Sequence, residues 1–201
     1  MKNTQTNRIG LFLDDGRVSG VSIFTKNLAE YINKNIRVPC QIIIPKKNSN
    51  IILKQIVKKK IPYKLYDIEK ISKSTILDYF KFVLFKKRLL FNFFKKNLYQ
   101  IYIIQGSLQI LNILVLNYLN KKQILIIHDS HNSLIFKFLL KLLIKKETKI
   151  IFVSEKSKNF YKNIFIKNKK LVIPTGTKNN KKNNKKNNKN SYTIGTSCNI
   201  N

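Results

Sequence analysis

The chain has 201 residues, with 40 Lys and Arg against 9 Asp and Glu, a formal net charge of +31 and 43% hydrophobic residues. That apolar share suffices for the core of one large domain, or of one domain with a tail. No run approaches the ~18 uninterrupted apolar residues of a spanning helix. Cys40 and Cys198 have no Cys-x-x-Cys or histidine partner, so no metal cluster, dithiol site or membrane span is expected.

The charge has two readings. A basic chain attracts nucleic acid or an anionic membrane. Against a dedicated nucleic-acid reader stands the choice of base. Arg occurs only at Arg8, Arg17, Arg37 and Arg88, whereas Lys, Asn and Ile, all with AT-rich codons, are abundant throughout. Readers of nucleic acid generally use the planar fork of Arg as well. Compositional drift is therefore taken as the main source of the charge. Nucleic acid is not the expected partner, while attraction to a membrane remains a physical consequence. Residues 1–7 are polar and the apolar run after them is short. No secretory signal is expected, and a reducing, cytoplasmic setting is the default.

In chain order, Arg8 to Leu13 reads as a first strand. Asp14 to Gly20 is a polar loop holding Gly16 and Gly20, and Val21 to Asn33 a helix with Ile23, Phe24, Leu28, Ala29 and Ile32 on its apolar side. A glycine-bearing loop between first strand and first helix can be a plain connection or a phosphate-binding device. It has neither the Gly-x-Gly-x-x-Gly spacing nor that of a Walker loop. Gln41 to Ile44 is a second strand ended by Pro45. A short helix over Ile51 to Val57 and a third strand over Tyr63 to Tyr66 follow.

Ser74 to Tyr99 reads as a long helix. Leu77, Phe80, Leu84, Phe91, Phe94 and Leu98 share one face, and a second apolar row (Phe82, Phe85, Leu89, Phe93) borders Lys81, Lys86, Lys87, Arg88, Lys95 and Lys96. Such a helix either buries one face and solvates its lysines, or lies on an anionic membrane through its basic-aromatic side; the two can coexist. Gln100 to Ile104 is a strand, ending at Gln105-Gly106-Ser107, and Leu108 to Leu119 a helix.

Ile124 to Ile127 is a buried strand delivering His128-Asp129-Ser130-His131-Asn132, which contains both histidines of the chain. A His-x-x-His with an Asp suggests a metal, but a third ligand at fixed spacing is missing. A His-Asp pair suits acid–base work near neutral pH. Asp129, Ser130 and Asn132 also favour helix starts, so the segment can be a capping loop. Ser133 to Ile144 is the next helix. Ile150 to Val153 is then a strand, Ser154 caps a helix with Glu155 in its first turn, and Phe160, Ile164 and Phe165 form that helix's apolar face. Leu171 to Ile173 is a second buried strand, stopped by Pro174 and followed by Gly176.

Val153-Ser154-Glu155 and Val172-Ile173-Pro174-Thr175-Gly176, each after a strand and separated by a helix, resemble the end of the N-terminal domain in family-4 glycosyltransferases of the two-domain GT-B fold. Thr175 stands where that family usually has Asn. Asn27-Leu28-Ala29 and Gly20 also match, with Ser19 in place of the first glycine of the family's Gly-Gly pair, and Gln105 to Ser107 lacks the histidine relatives often carry there. The resemblance covers about residues 8–177. It implies an α/β, Rossmann-like, mostly parallel sheet of about seven strands with helices on both faces, one half of a GT-B fold. It further implies transfer of a sugar from a nucleotide-sugar donor to a hydroxyl acceptor, a cell-envelope glycan or lipid, with no metal and no cofactor. His128 would be the catalytic contact, beside Asp129. Gly16, Ser19 and Gly20 would line the cleft, and Ser154, Glu155, Pro174 and Gly176 its rim and hinge. Some relatives are monotopic enzymes acting on lipid-linked acceptors. Lys86, Lys87, Arg88, Lys95 and Lys96 would then be a membrane patch on the inner face of the membrane.

Lys178 to Asn190 contains only Lys and Asn and is expected to be a disordered linker. Residues 191–201 resemble the first strand of the family's C-terminal, donor-binding domain, so the chain is expected to be a truncated N-terminal domain (1–177). A non-catalytic acceptor- or membrane-binding remnant and a basic nucleic-acid-binding protein are the other readings.

Overall fold

The computed structural model describes residues 9–13, 15–66, 87–106, 109–128 and 134–174, the side chains of 134–136 excepted. Asp129, Gly176, Lys86, Cys198, the Lys/Asn run and the C-terminal eleven residues lie outside the described residues, as does 74–86 of the long helix.

Seven strands form one sheet: β1 (Ile9–Phe12), β2 (Cys40–Pro45), β3 (Tyr63–Tyr66), β4 (Ile101–Gln105), β5 (Gln123–Ile127), β6 (Lys149–Phe152) and β7 (Lys170–Val172). Their order is β3-β2-β1-β4-β5-β6-β7 and every pairing is parallel. The helices are α1 (Gly20–Tyr31), continued by a π-helical turn Ile32–Ile36, α2 (Asn50–Lys58), α3 (87–96), α4 (Ile110–Tyr118), α5 (Leu134–Leu143) and α6 (Glu155–Phe160).

Strand alternation divides the core in two. Leu11, Leu13, Ile42, Ile44, Ile103 and Ile126 face one side, where Ala29 of α1, Ile32 of the π-helical turn and Ile52 and Ile56 of α2 cover them. Phe12, Ile43, Ile104, Leu125, Ile127 and Phe152 face the other, under Leu90 and Phe94 of α3, Ile113 and Leu116 of α4, and Leu140 of α5. Both faces of the central strands are buried, which explains their unbroken Ile and Leu runs. The helices change sides between β3 and β4. The direction of strand order therefore reverses between β1 and β4, and that reversal opens a crevice beyond the C-terminal strand ends.

Several boundaries differ from the expectation for local reasons. Helix α1 begins at Gly20, because Ser19 caps it: the Ser22 amide donates to Ser19 Oγ (3.3 Å) and the Ser19 amide to Ser22 Oγ (2.8 Å). Ile23 points outward, while Thr25 is buried, its hydroxyl donating to the Val21 carbonyl at 2.8 Å. Pro45 is the last residue of β2 rather than the residue beyond it. It keeps a carbonyl for the ladder although it lacks the N–H. Helix α3 ends at Lys96, so Leu98 falls beyond it and is exposed; on the helix Leu90 and Phe94 are buried while Leu89 is exposed, which shifts the apolar face from the expected one. Helix α6 stops at Phe160, and turns then bring Tyr161 and Phe165 into the core. Strand β7 was expected to be buried; it lies at the sheet edge, with Leu171 and Ile173 exposed.

Candidate functional site

The C-terminal edge of the sheet is built by ladder bonds running past the strands. Leu13 N–H donates to the Ile43 carbonyl (3.0 Å), Gly106 N–H to Ile126 (2.8 Å), Val153 N–H to Ile127 (3.2 Å) and Ile173 N–H to Phe152 (2.8 Å). Strand β4 ends because Gly106 takes φ 94°, a left-handed conformation that side chains rarely adopt. Strand β5 ends at Ile127 and is followed by His128, half-buried on the crevice side of the fold.

Two contacts place the imidazole in the crevice. Its Nε2 lies 2.7 Å from Oε1 of Gln105, the last residue of β4. The Phe24 ring of α1 meets it edge-on, with centroids 5.2 Å apart and planes at 70°. The first turns of α1 thus reach across the reversal point to the end of β5. Gln105 is fully buried, and its Nε2 has no hydrogen-bond partner among the described residues. Behind it, Gln109 Nε2 donates to the carbonyls of Phe12 (3.0 Å) and Gln105 (2.6 Å), and Asn112 Nδ2 donates to Gln109 Oε1 (2.5 Å). These buried amides tie the ends of β1 and β4 together, and polar networks of this kind hold a unique geometry when their members are paired.

The glycine loop has a split role. A β-carbon on Gly16 would stand 2.3 Å from the Lys47 carbonyl oxygen and 2.9 Å from the Ser49 nitrogen. Gly16 is therefore required for the loop to pack on the β2–α2 connection. Around Gly20 nothing lies within 4 Å of such a carbon, so the start of α1 faces open space. Ser19 is exposed and its hydroxyl is engaged in the cap. Asp15 holds Arg17 through Nε (2.7 Å) within the same loop.

Ser154 accepts from the Ser157 amide at 3.1 Å, the cap its position predicts. Glu155 sits at the solvent side with Lys158 at 3.1 Å. Pro174 is exposed after β7, two strands from His128. The described residues thus place His128 with the start of α1, leave Ser154 on the neighbouring strand end, and set Pro174 at the far edge. Gln105, Gln109 and Phe24 are the site residues that motif reading passed over. The signal available was a glutamine closing an otherwise apolar strand, where burial demands a polar partner. Among the described residues, no three His, Cys, Asp or Glu side chains gather as metal ligands.

Lys87, Arg88, Lys95 and Lys96 are exposed on α3. Lys95 Nζ lies 4.5 Å from the Phe91 ring centroid and Lys87 Nζ 5.6 Å from that of Tyr118, which is itself exposed. No described helix is long and apolar enough to cross a membrane.

No protein-family model matches the sequence, and no curated protein matches it at a significant level. Solved structures match its fold. A glycosyltransferase from Rickettsia africae ESF-5 aligns with a TM-score of 0.65 and 21% identity, over 85% of this chain and 43% of that one. MurG from Acinetobacter baumannii aligns at 0.55 and 10% identity, over 85% and 47%. UDP-GlcNAc 2-epimerase from Neisseria meningitidis, in a structure bound to UDP-GlcNAc, aligns at 0.55 and 14% identity, over 84% and 46%. The chain spans less than half the length of each of these relatives. At such identities the likeness is one of fold: a Rossmann-like α/β sheet corresponding to one half of a GT-B architecture.

Proposed function

We propose that the chain is the acceptor-side half of a glycosyltransferase of the family-4 type. In this reading a sugar passes from a nucleotide-sugar to a hydroxyl of a cell-envelope glycan or lipid. The observation that carries the reading is the position of His128, at a strand end beside the reversal of the sheet, with its ring held by Gln105 and Phe24. Ligands of open α/β sheets bind at such points. An imidazole there can take or share a hydroxyl proton near neutral pH.

His128 then contacts the acceptor hydroxyl or the transferred sugar, with Asp129 beside it in sequence. Ser19 and Gly20 form one wall of the cleft, and Gly16 holds that wall to the β2–α2 connection. Ser154, Glu155, Pro174 and Gly176 form the rim toward a second, donor-binding domain. The nucleotide-sugar is gripped chiefly by that domain, so transfer belongs to the two halves together. No metal or other cofactor takes part. Lys86, Lys87, Arg88, Lys95 and Lys96 hold the protein against an anionic membrane, at the inner face of which it meets a lipid-linked acceptor.

Acceptor binding requires only this half and is the first test. The 15N-labelled chain is titrated with a lipid-linked saccharide in detergent micelles, and separately with nucleotide-sugars. The expected result is movement of the His128 resonances with the saccharide. Loss of one hydrogen bond of about 1.4 kcal/mol in His128→Ala should weaken binding about tenfold. Sugar transfer is expected only when a donor-binding domain is supplied. Binding without transfer under that condition would favour a non-catalytic acceptor-binding protein. Affinity for DNA or RNA that falls steeply with salt, with no response to saccharide, would replace both by a nucleic-acid function.

A further inference from the structure

We propose that the concavity lined by Glu30, Lys34, Lys58, Lys59 and Lys60, at the N-terminal edge of the sheet, binds a free oligophosphate anion such as inorganic diphosphate. The site lies at the opposite end of the strands from His128, and the proposal does not depend on the function assigned to that residue.

The concavity has a volume of about 370 Å³, within the ~300–1,000 Å³ of small-molecule sites. Buried Ile61 and half-buried Asn33 complete its lining. Two elements bring the charges together. Lys34 stands on the π-helical turn after α1, while Lys58 ends α2 and Lys59 and Lys60 follow it. The turn is fixed to β2: Asn33 Nδ2 donates to the Cys40 carbonyl at 3.0 Å, and the Cys40 amide donates to Asn33 Oδ1 at 2.9 Å. Lys34 Nζ and Lys59 Nζ then meet at one oxygen, Glu30 Oε1, at 2.8 Å and 3.4 Å. One carboxylate neutralises only one of the four ammonium groups that line the space. The complement of such a site is a multivalent anion rich in acceptor oxygens. An oligophosphate has that chemistry, and lysine binds phosphate as a point charge without the arginine fork.

Drift toward AT-rich codons accounts for many lysines but not for the placing of Lys60. The described non-glycine residues with left-handed backbone are Arg37, Asn48, Lys60 and Asn120. Asn tolerates that region better than Lys, and AT-rich codons supply both. The chain uses Asn at 48 and 120, yet keeps Lys60, at φ 53°, in the lining of the concavity. The dipole of α2 favours a cation in its last turn, which explains Lys58; Lys60 lies beyond that turn.

The test is calorimetric titration of the full chain with sodium diphosphate in about 0.15 M KCl, where exposed charges more than ~8 Å apart are largely screened. One saturable site per chain is expected. Lys34→Gln with Lys59→Gln should weaken it at least about tenfold, since charge-assisted hydrogen bonds are lost. Lys162→Gln with Lys167→Gln removes the same charge from exposed positions after α6, and should weaken it less than about twofold. Glu30→Gln releases both ammonium groups and should tighten binding severalfold, whereas Glu147→Gln, an equal change in net charge at an exposed position, should not. In 15N spectra, saturation should move the amides of residues 30–34 and 58–61, and dihexanoyl phosphatidylserine at the same concentration should leave them in place. Absence of a saturable site, or equal weakening by the two lysine pairs, overturns the proposal in favour of general charge. An equal shift of those amides with the phosphatidylserine overturns it in favour of a lipid surface.

Discussion

The Tyr99 ring lies against the backbone of Gly10: a β-carbon on Gly10 would stand 3.0 Å from two atoms of that ring and 3.1 Å from the Phe12 ring. Tyr99 is pinned in turn. Its backbone N–H donates to Tyr102 Oη at 3.1 Å, and its hydroxyl donates to Gln41 Oε1 at 2.5 Å. The ring cannot give way without breaking these bonds. Gly10→Ala should therefore destabilise the protein by about 1–3 kcal/mol, the usual cost of overpacking a closed core. At about 2–4 °C per kcal/mol for a domain of this size, the melting temperature should fall by several degrees. A variant that melts with the wild type would show that β1 and Tyr99 are less tightly opposed than this geometry requires.

The aromatic cluster around β1 gives a second prediction, because it fixes which way α3 faces. Phe94 is fully buried, with ring centroids 5.2 Å from Phe12 and 5.6 Å from Tyr102, whereas Leu98, two residues beyond the end of α3, is 56% exposed. Phe94→Ala should cost about 3–5 kcal/mol. Leu98→Ala should change stability by no more than about 0.5 kcal/mol. Comparable losses at the two positions in chemical denaturation would show that the helix runs on through Leu98 with one buried face, as sequence periodicity predicts.

That contrast shows what the chain makes legible. Short runs rich in Ile, Leu and Phe, bounded by Pro and polar residues, identify β1, β2, β4, β5 and β6, because strands buried on both faces need no polar alternation. Ser154 and the histidine at the end of β5 are equally visible, since a cap and a strand end are local features. The rotation of α3 is not, because nearly every position from Leu89 to Phe94 is apolar and periodicity cannot rank them. The exposure of β7 depends on its place at the sheet edge, which is a property of strand order. Gln105 reads as the last residue of a strand. Its meaning arises only when β4 and β5 pair and bring it to His128, 23 positions away in sequence.

Cys40 carries a pH-dependent prediction. The side chain is fully buried, and desolvation pushes its thiol from 9.0 up to about 12. The folded state therefore keeps the proton between those values, while the unfolded chain loses it. Unfolding is thus favoured as pH rises through this window, and stability that is intact below pH 9 declines above it. In urea denaturation between pH 8 and 11, Cys40→Ala should flatten this decline relative to wild type, after allowance for the cavity it creates. In Cys198→Ser, thiol reagents should modify Cys40 only at the rate of unfolding, because the thiolate is the reactive form. Rapid labelling of Cys40 in the native protein would contradict its burial.

Exposed charge on α3 gives the last prediction, which tests the proposed membrane patch. Lys87, Arg88, Lys95 and Lys96 are exposed on a helix that carries Leu90 and Phe94 into the core. Charge reversal at these four sites therefore removes two lysine–ring contacts but no buried side chain. Each basic residue near an anionic bilayer contributes about 1 kcal/mol, and the attraction decays within a Debye length. Replacing all four with Glu should lower affinity for phosphatidylserine-containing vesicles by at least about a hundredfold in a sedimentation assay, even with partial engagement of the patch. Circular dichroism and melting temperature should stay close to wild type, since surface substitutions of this kind usually shift stability by about 0.5 kcal/mol or less each. The remaining lysines are the necessary control, because a chain with a net charge of +31 will also bind anionic vesicles nonspecifically. Lys58, Lys59 and Lys60 provide it, lying at the C-terminal end of α2 on the other side of the sheet. Their reversal to Glu should have a clearly smaller effect. Equal losses from the two sets would show that total charge, and not a patch on α3, governs the attraction.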